Sequence, residues 1–276
     1  MPIGVFTSIG AGLGAGLETV QQVNVPTVQV HAPPMDLLTL KHAAEVREQF
    51  DDAGIEITLV FCGYPGESYE SIPVVRETVG LVPPANRGDR VQLTRQIADF
   101  AQELGAPGLG IHAGFISEDW DAPLFGELVD VFKGLCDYCA SRDLGINLET
   151  GQESAHTLLH FLEEVNHPNL GVNFDPANMI LYGSGEPLEA LQKVGRYVRS
   201  CHCKDATWSE QPGKVWGEET PLGEGDVDVE GFLSTLLEIG YKGPLTIERE
   251  ISGDQQVQDI EKAIELLRGL KEELLT

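Results

Sequence analysis

Short apolar runs rich in β-branched residues recur along the chain, at about 2–8, 26–32, 55–62, 107–113, 144–149, 169–175, 197–203 and 244–249. Between them the apolar positions shift to a spacing of three and four. That spacing predicts helices near 37–53, 91–104, 123–142, 155–165, 187–195, 229–239 and 254–274, with a less regular one near 14–22. Gly54, Gly105 and Gly145 stand where a helical run gives way to a strand, the place a helix C-cap occupies. Strand and helix thus alternate eight times, which calls for a parallel sheet with right-handed crossovers. Eight such units predict closure into a single (β/α)₈ barrel of the TIM type spanning residues 1–276 as one domain.

Two connections are long, 63–88 and 204–228, and both follow a strand. They therefore belong to the C-terminal face, where barrels of this kind build their sites, and are candidates for a lid and a substrate wall. After the first strand, Gly10-Ala11-Gly12-Leu13-Gly14-Ala15-Gly16 contains a G-x-G-x-x-A match. A nicotinamide-binding fold would end its second strand on an acidic residue that holds the ribose. Here that strand, Pro26-Thr27-Val28-Gln29-Val30-His31, ends on histidine, so a glycine-rich loop at the active face is the better reading.

Composition narrows the partners. Lys and Arg total 18 against 44 Asp and Glu, a net charge of −26, which opposes binding to nucleic acid or to an anionic membrane surface. No stretch approaches a membrane span in length and apolarity, and the N-terminus lacks a signal-peptide pattern, so the expected location is cytoplasmic. The five cysteines do not make a disulfide framework; Cys136 and Cys139 fall in a helical pattern and read as buried thiols.

Candidate chemistry lies at the strand ends. Strands five to eight close on Glu149, Asp175, His202 and Glu248. Each alone could equally be a loop residue or a salt-bridge partner. Together they fall at one level of consecutive strands, and three converging carboxylates cannot all stay ionised without a cation. One imidazole with three carboxylates suits a single divalent metal, Mn²⁺ first, with Mg²⁺, Co²⁺ and Zn²⁺ as alternatives. Period-2 alternation turns His202 and Lys204 one way and Cys201 and Cys203 the other, so the cysteines are not expected to be ligands. His31 and His112 end strands two and four, where either could reach a substrate hydroxyl, while His42, His156, His160 and His167 read as surface residues. Phe115, Trp120, Trp208 and Trp216 fall in loops of the same face, where they could stack on a sugar ring or simply pack the loops.

The segments Leu148-Glu149-Thr150-Gly151-Gln152-Glu153, Asn173-Phe174-Asp175-Pro176-Ala177-Asn178, His202-Cys203-Lys204-Asp205 and Thr246-Ile247-Glu248 resemble the sugar isomerase/epimerase superfamily. This is the xylose isomerase-like barrel group, which includes ketose 3-epimerases, inosose dehydratase and endonuclease IV. The resemblance implies that Glu149, Asp175, His202 and Glu248 match the four metal ligands. Glu149 and Glu248 are the candidate acid/base pair, with His31, His112, Glu153, Asn178 and Lys204 as candidate substrate contacts. Endonuclease IV fits worst, since it must approach DNA. Ketose epimerases commonly carry a histidine where this chain has Asn178, so their substrate contacts do not transfer directly. Members are often dimers or tetramers, which makes a homo-oligomer the expectation.

The activity so implied is abstraction of a proton next to a carbonyl, through an enediolate, on a small carbohydrate: a free sugar, keto-sugar or cyclitol. Two bases give epimerisation, one base gives aldose–ketose isomerisation, and loss of a β-hydroxyl gives a dehydratase of the inosose type. A phosphorylated substrate is less favoured: Lys204, Lys214, Gly223 and Gly225 share their loop with Glu218, Glu219 and Glu224. An NAD-dependent oxidoreductase, a metal-dependent hydrolase and a non-catalytic sugar-binding barrel are the competing classes.

Overall fold

Strands predicted by apolar runs form as β1 (Ile3–Ser8), β2 (Thr27–His31), β3 (Glu56–Phe61), β4 (Gly108–Ile111), β5 (Gly145–Glu149), β6 (Leu170–Phe174), β7 (Val198–Cys203) and β10 (Leu245–Ile247). The computed structural model describes residues 1–9 and 16–274. All eight strands pair in parallel, and the sheet closes in the order β1-β10-β7-β6-β5-β4-β3-β2. This is a closed α/β TIM barrel, not the open sheet that a dinucleotide-binding reading of the glycine-rich segment requires. That segment, residues 10–15, lies outside the described residues; Gly16 precedes α1 (Leu17–Val23).

The outer layer consists of α1, α2 (Leu40–Asp52), α4 (Arg87–Leu104), α5 (Pro123–Ala140), α6 (Ala155–Val165), α8 (Pro187–Val194), α9 (Val229–Glu238) and α10 (Asp254–Leu274). Each turns an apolar stripe to the sheet. In α5 the stripe is Phe125, Leu128, Val129, Phe132, Leu135, Cys136 and Cys139, the spacing that lays one face of a helix on a core. Cys136 and Cys139 are buried free thiols within that stripe, as their helical spacing predicts. Cys201 and Cys203 also join the main core, so β7 turns them away from His202 as period-2 alternation requires. Among the described residues, no helix is long and apolar enough to cross a membrane.

Three features depart from the pattern reading, each for a local reason. The connection 63–88 contains a helix, α3 (Ile72–Thr78); it is only seven residues long and has Pro73 in its first turn, so it carries little periodicity. Helix α4 starts four residues earlier than its apolar face suggests. Its polar first turn is anchored inward: Arg87 Nε donates to the Leu81 carbonyl at 2.7 Å and Arg90 Nη1 to the Gly80 carbonyl at 2.6 Å. A third helix, α7 (Pro176–Tyr182), follows β6 at once and is wholly buried, leaving no polar face for periodicity to show.

The connection 204–228 holds a hairpin, β8 (Asp205–Thr207) with β9 (Glu218–Thr220), antiparallel. Asp205 anchors it. Its carboxylate accepts from the backbone N–H of Ala206 and Val227 on Oδ1 and of Gly223 and Gly225 on Oδ2, at 2.8–3.0 Å. Four donors on one buried carboxylate fix the loop that follows β7. Asp205→Ala removes all four acceptor contacts. It is expected to cost about 2–4 kcal/mol in urea unfolding and to speed amide hydrogen exchange at Gly223, Gly225 and Val227; unchanged protection there would refute the anchoring role.

Candidate metal centre

Four adjacent strands of the barrel, β10, β7, β6 and β5, bring Glu248, His202, Asp175 and Glu149 to one mouth. Their side chains are buried, and one ligand atom from each lies within 4.8 Å of all the others. His202 Nδ1 faces Glu149 Oε1 at 2.7 Å, Glu248 Oε2 at 3.2 Å and Asp175 Oδ2 at 3.5 Å.

The protonation of His202 is set from behind. Its Nε2 lies 2.8 Å from Gln29 Oε1. The Gln29 amide is oriented by its own Nε2, which donates to Asn173 Oδ1 at 3.3 Å; Asn173 Nδ2 in turn donates to Glu149 Oε1 at 3.4 Å. An amide oxygen at Nε2 requires the proton there, which leaves the Nδ1 lone pair aimed at the carboxylates in the neutral ring. Nδ1 makes no directed hydrogen bond with any of them, and Asp175 Oδ2 is likewise buried without a hydrogen-bond partner.

Without a cation, the surrounding carboxylates favour a second proton on this ring. Burial alone would strip the imidazole of charge, but Glu248 and Glu149 hold the His202 pKa well above its ordinary value. Burial raises Glu149, yet His112 and His202 outweigh it and bring the carboxyl down to about 2. Glu248 is likewise held well below the usual range against burial, by His202 and Lys204. Burial lifts Asp175, with Lys204 opposing. The pocket thus favours a positive charge where Nδ1 and three oxygens converge, in a geometry that suits a cation better than an N–H proton. One nitrogen and three carboxylate oxygens fit a divalent ion that takes mixed N/O ligands.

Local chemistry holds each donor in place. Asp175 is also the N-cap of α7: Oδ1 accepts from the Asn178 N–H at 2.9 Å, which leaves Oδ2 for the cluster. Thr150 ties the end of β5 to the same turn, its hydroxyl donating to the Asp175 carbonyl at 2.9 Å and accepting from the Asp175 N–H at 2.8 Å. Gly151 follows at φ 144°, and a Cβ there would stand 2.7 Å from that of Asn178, so only glycine lets the two segments close. Phe6 and Phe61 pack on the His202 ring with centroids 5.5 and 5.2 Å away.

The remaining sequence-predicted residues divide. His112 Nε2 lies 2.7 Å from Glu149 Oε2, and despite burial this pairing raises its pKa to about 9. Lys204, almost fully buried, reaches Glu248 at 3.0 Å and Glu250 at 3.2 Å and donates to Asn178 Oδ1 at 3.3 Å. His31 turns Nδ1 to the Ala32 carbonyl at 2.8 Å and packs its ring on Gly63. Glu153 is buried beside the cluster rather than within it; one carboxyl oxygen has no partner, and burial lifts its pKa to about 8. Of the aromatic residues, Trp120 stacks on His160 at 3.7 Å, whereas Trp216 packs on Tyr182 at 4.5 Å.

Gln29, Asn173, Thr150, Phe6 and Phe61 escaped sequence reasoning. A signal existed for the first two. Gln29 and Asn173 sit two residues before His31 and Asp175, as Asn147, Ser200 and Thr246 sit two before Glu149, His202 and Glu248. In a strand buried on both faces, a polar residue two positions before a strand-end donor shares its face.

A closed eight-stranded barrel with this buried N/O cluster at its C-terminal mouth defines the class of protein. Residues 14–270 match the family described as xylose isomerase-like TIM barrel, and the chain belongs to it. A solved xylose isomerase domain protein from Planctomyces limnophilus is 54% identical, with TM-score 0.97 over 99% of this chain and 98% of that one. An L-ribulose 3-epimerase of Methylomonas sp. is 27% identical over 59% of this chain and 56% of its own length. A 3-dehydroshikimate dehydratase of Pseudomonas putida is 25% identical over 82% of this chain but only 34% of its own. The match thus spans about half or less of these two curated relatives.

Two measurements check the site. Elemental analysis of protein prepared without chelators should find about one divalent ion per chain, lost in His202→Ala; retention in that variant would refute the cluster as the metal site. Glu153 gives a pH signature. With its folded pKa near 8, the folded chain binds more protons than the unfolded one between about pH 4.5 and 8, so stability falls as pH rises through that window. Glu153→Gln should remove that slope, gaining on the order of a few kcal/mol relative to wild type at pH 8; parallel stability curves would refute it.

Proposed function

We propose that the protein is a divalent-metal-dependent sugar epimerase or isomerase, acting on the carbon next to a carbonyl of an unphosphorylated sugar, keto-sugar or cyclitol. The observation that carries this reading is the convergence of His202 Nδ1 with three carboxylates, two of which, Glu149 and Glu248, are available as bases. Family membership supports it, as does the similarity to an L-ribulose 3-epimerase.

In this reading Glu149, Asp175, His202 and Glu248 hold the ion, with Mn²⁺ the first choice. When bound, a divalent cation polarises the carbonyl and steadies the negative charge that develops when the neighbouring C–H loses its proton. Glu149 and Glu248 enter from the two ends of the four-strand arc, with Asp175 and His202 between them. One takes the proton and the other returns it from the opposite side, which inverts the carbon. Each has a cation as its partner: the partly exposed His112 on Glu149 and the buried Lys204 on Glu248, at 2.7 and 3.0 Å. These partners keep both carboxylates ionised and fix their orientation between transfers.

Lys204 also bears on the substrate. Its ammonium is already shared by Glu248, Glu250 and Asn178, so it does not present a free charge to a phosphate. A dehydratase is the second reading, favoured by the similarity to a 3-dehydroshikimate dehydratase over 82% of this chain. It uses the same first proton transfer and differs in losing a β-hydroxyl afterwards.

Glu149→Gln and Glu248→Gln should each lower turnover by at least about 100-fold while the fold survives, as followed by circular dichroism. Wild-type protein in D₂O should place one solvent deuteron on a single sugar carbon, read by NMR. Full activity in either variant would sink the two-base assignment. Release of a dehydrated product in place of an epimer would select the dehydratase.

A further inference from the structure

Next to the cluster lies a second space, a cleft of about 570 Å³ that none of the four donors lines. Clefts of about 300–1,000 Å³ accommodate ligands larger than one sugar ring. Gln152 and Tyr182 form its wall toward the cluster. Gln152 Nε2 stands 3.4 Å from His112 Nδ1 and donates to Tyr182 Oη at 3.2 Å, and His112 is the partner of Glu149. The cleft therefore begins two side-chain contacts from a proposed base.

Its lining has a definite chemistry. Phe115 offers an aromatic face, with the Arg76 guanidinium 3.9 Å from the ring centroid and Tyr182 packed at 5.7 Å. Ser184 Oγ and Glu153 Oε2 are both buried there without hydrogen-bond partners. A polar atom left unpaired in a buried position is costly, and a ligand hydroxyl would relieve it. The charges favour a neutral occupant: Glu118 and Asp119 stand against the single Arg76 along the lining, in a chain of net charge −26. An anionic extension such as a phosphate or carboxylate would be repelled. A mixture of aromatic face, hydroxyl, amide and carboxyl groups suits a sugar ring.

We infer that the substrate carries a second, neutral, hydroxyl-bearing unit beyond its reacting carbon, as in a glycoside or other two-ring sugar, and that this unit lies in the cleft against Phe115, Tyr182, Ser184 and Glu153. The inference rests on the sugar epimerase or isomerase reading and names the substrate class for it. It makes the protein selective for length as well as for configuration. Discrimination then comes from groups that remain unpaired when a single-ring sugar binds.

Binding tests the inference. The probes are D-fructose and isomaltulose, a glucosyl-fructose whose C3 is free, titrated calorimetrically into the manganese-loaded protein. Isomaltulose is expected to bind at least tenfold tighter, and that ratio should fall toward one in Ser117→Trp and in Ser184→Trp, which fill the cleft from two sides. Equal affinity in the wild type, or a ratio that neither folded variant lowers, would overturn it. Solvent deuterium exchange into the two sugars, measured on the same samples, reports separately on the underlying reading. Exchange into both without preference in binding leaves the epimerase reading standing and removes the second unit. Tight isomaltulose binding without exchange into either sugar supports the cleft and overturns the epimerase reading.

Discussion

Three carboxylates and one imidazole share a buried space in which their ligand atoms lie within 4.8 Å of one another. Like charges at that separation, removed from water, repel strongly unless positive charge is placed among them. Much of the surrounding structure is arranged around this constraint. His112 and Lys204 each neutralise one outer glutamate, from the strand-four and strand-seven sides. Asp175 spends one oxygen on a helix N-terminus, where the backbone offers partial positive charge, and keeps the other for the shared centre.

The inner face of the barrel continues the same logic below the mouth. Where an ordinary barrel interior would be branched aliphatic side chains, this one places Gln29, Asn173, Asn147 and Ser200. Gln29, Asn173 and Glu149 connect back to His202, so one network fixes both the tautomer of the imidazole and the orientation of the first carboxylate. Asn147 Nδ2 donates to Ser200 Oγ at 2.9 Å and closes a second pair beneath. Buried polar groups are tolerable only when paired, and the pairing here also fixes the donor positions. Phe6 and Phe61, standing over the imidazole, exclude water from that side.

The loops of the C-terminal face are more ordered than long connections need be. Arg87 and Arg90 hold the carbonyls of 80–81, Asp205 gathers four backbone donors, and α7 seals the space behind Asp175. Their order leaves a defined cleft beside the cluster in place of a mobile rim. The proposed second sugar unit would lie in that cleft, which none of Glu149, Asp175, His202 and Glu248 lines.

Sequence alone determined the architecture and pointed to the four residues that converge at its mouth. The eight-fold alternation follows from backbone geometry: parallel strands need crossovers, and a helix that covers them must show one apolar stripe. Glu149, Asp175, His202 and Glu248 were legible only as a set, because four ionisable residues fall at one level of consecutive buried strands. The short helices α3 and α7, by contrast, carry too few residues or too uniform a burial to leave a period. The partners Gln29–His202, His112–Glu149 and Lys204–Glu248 were decided only by tertiary structure. They join residues up to 173 positions apart, and their distances depend on barrel closure and strand register, which no local pattern encodes.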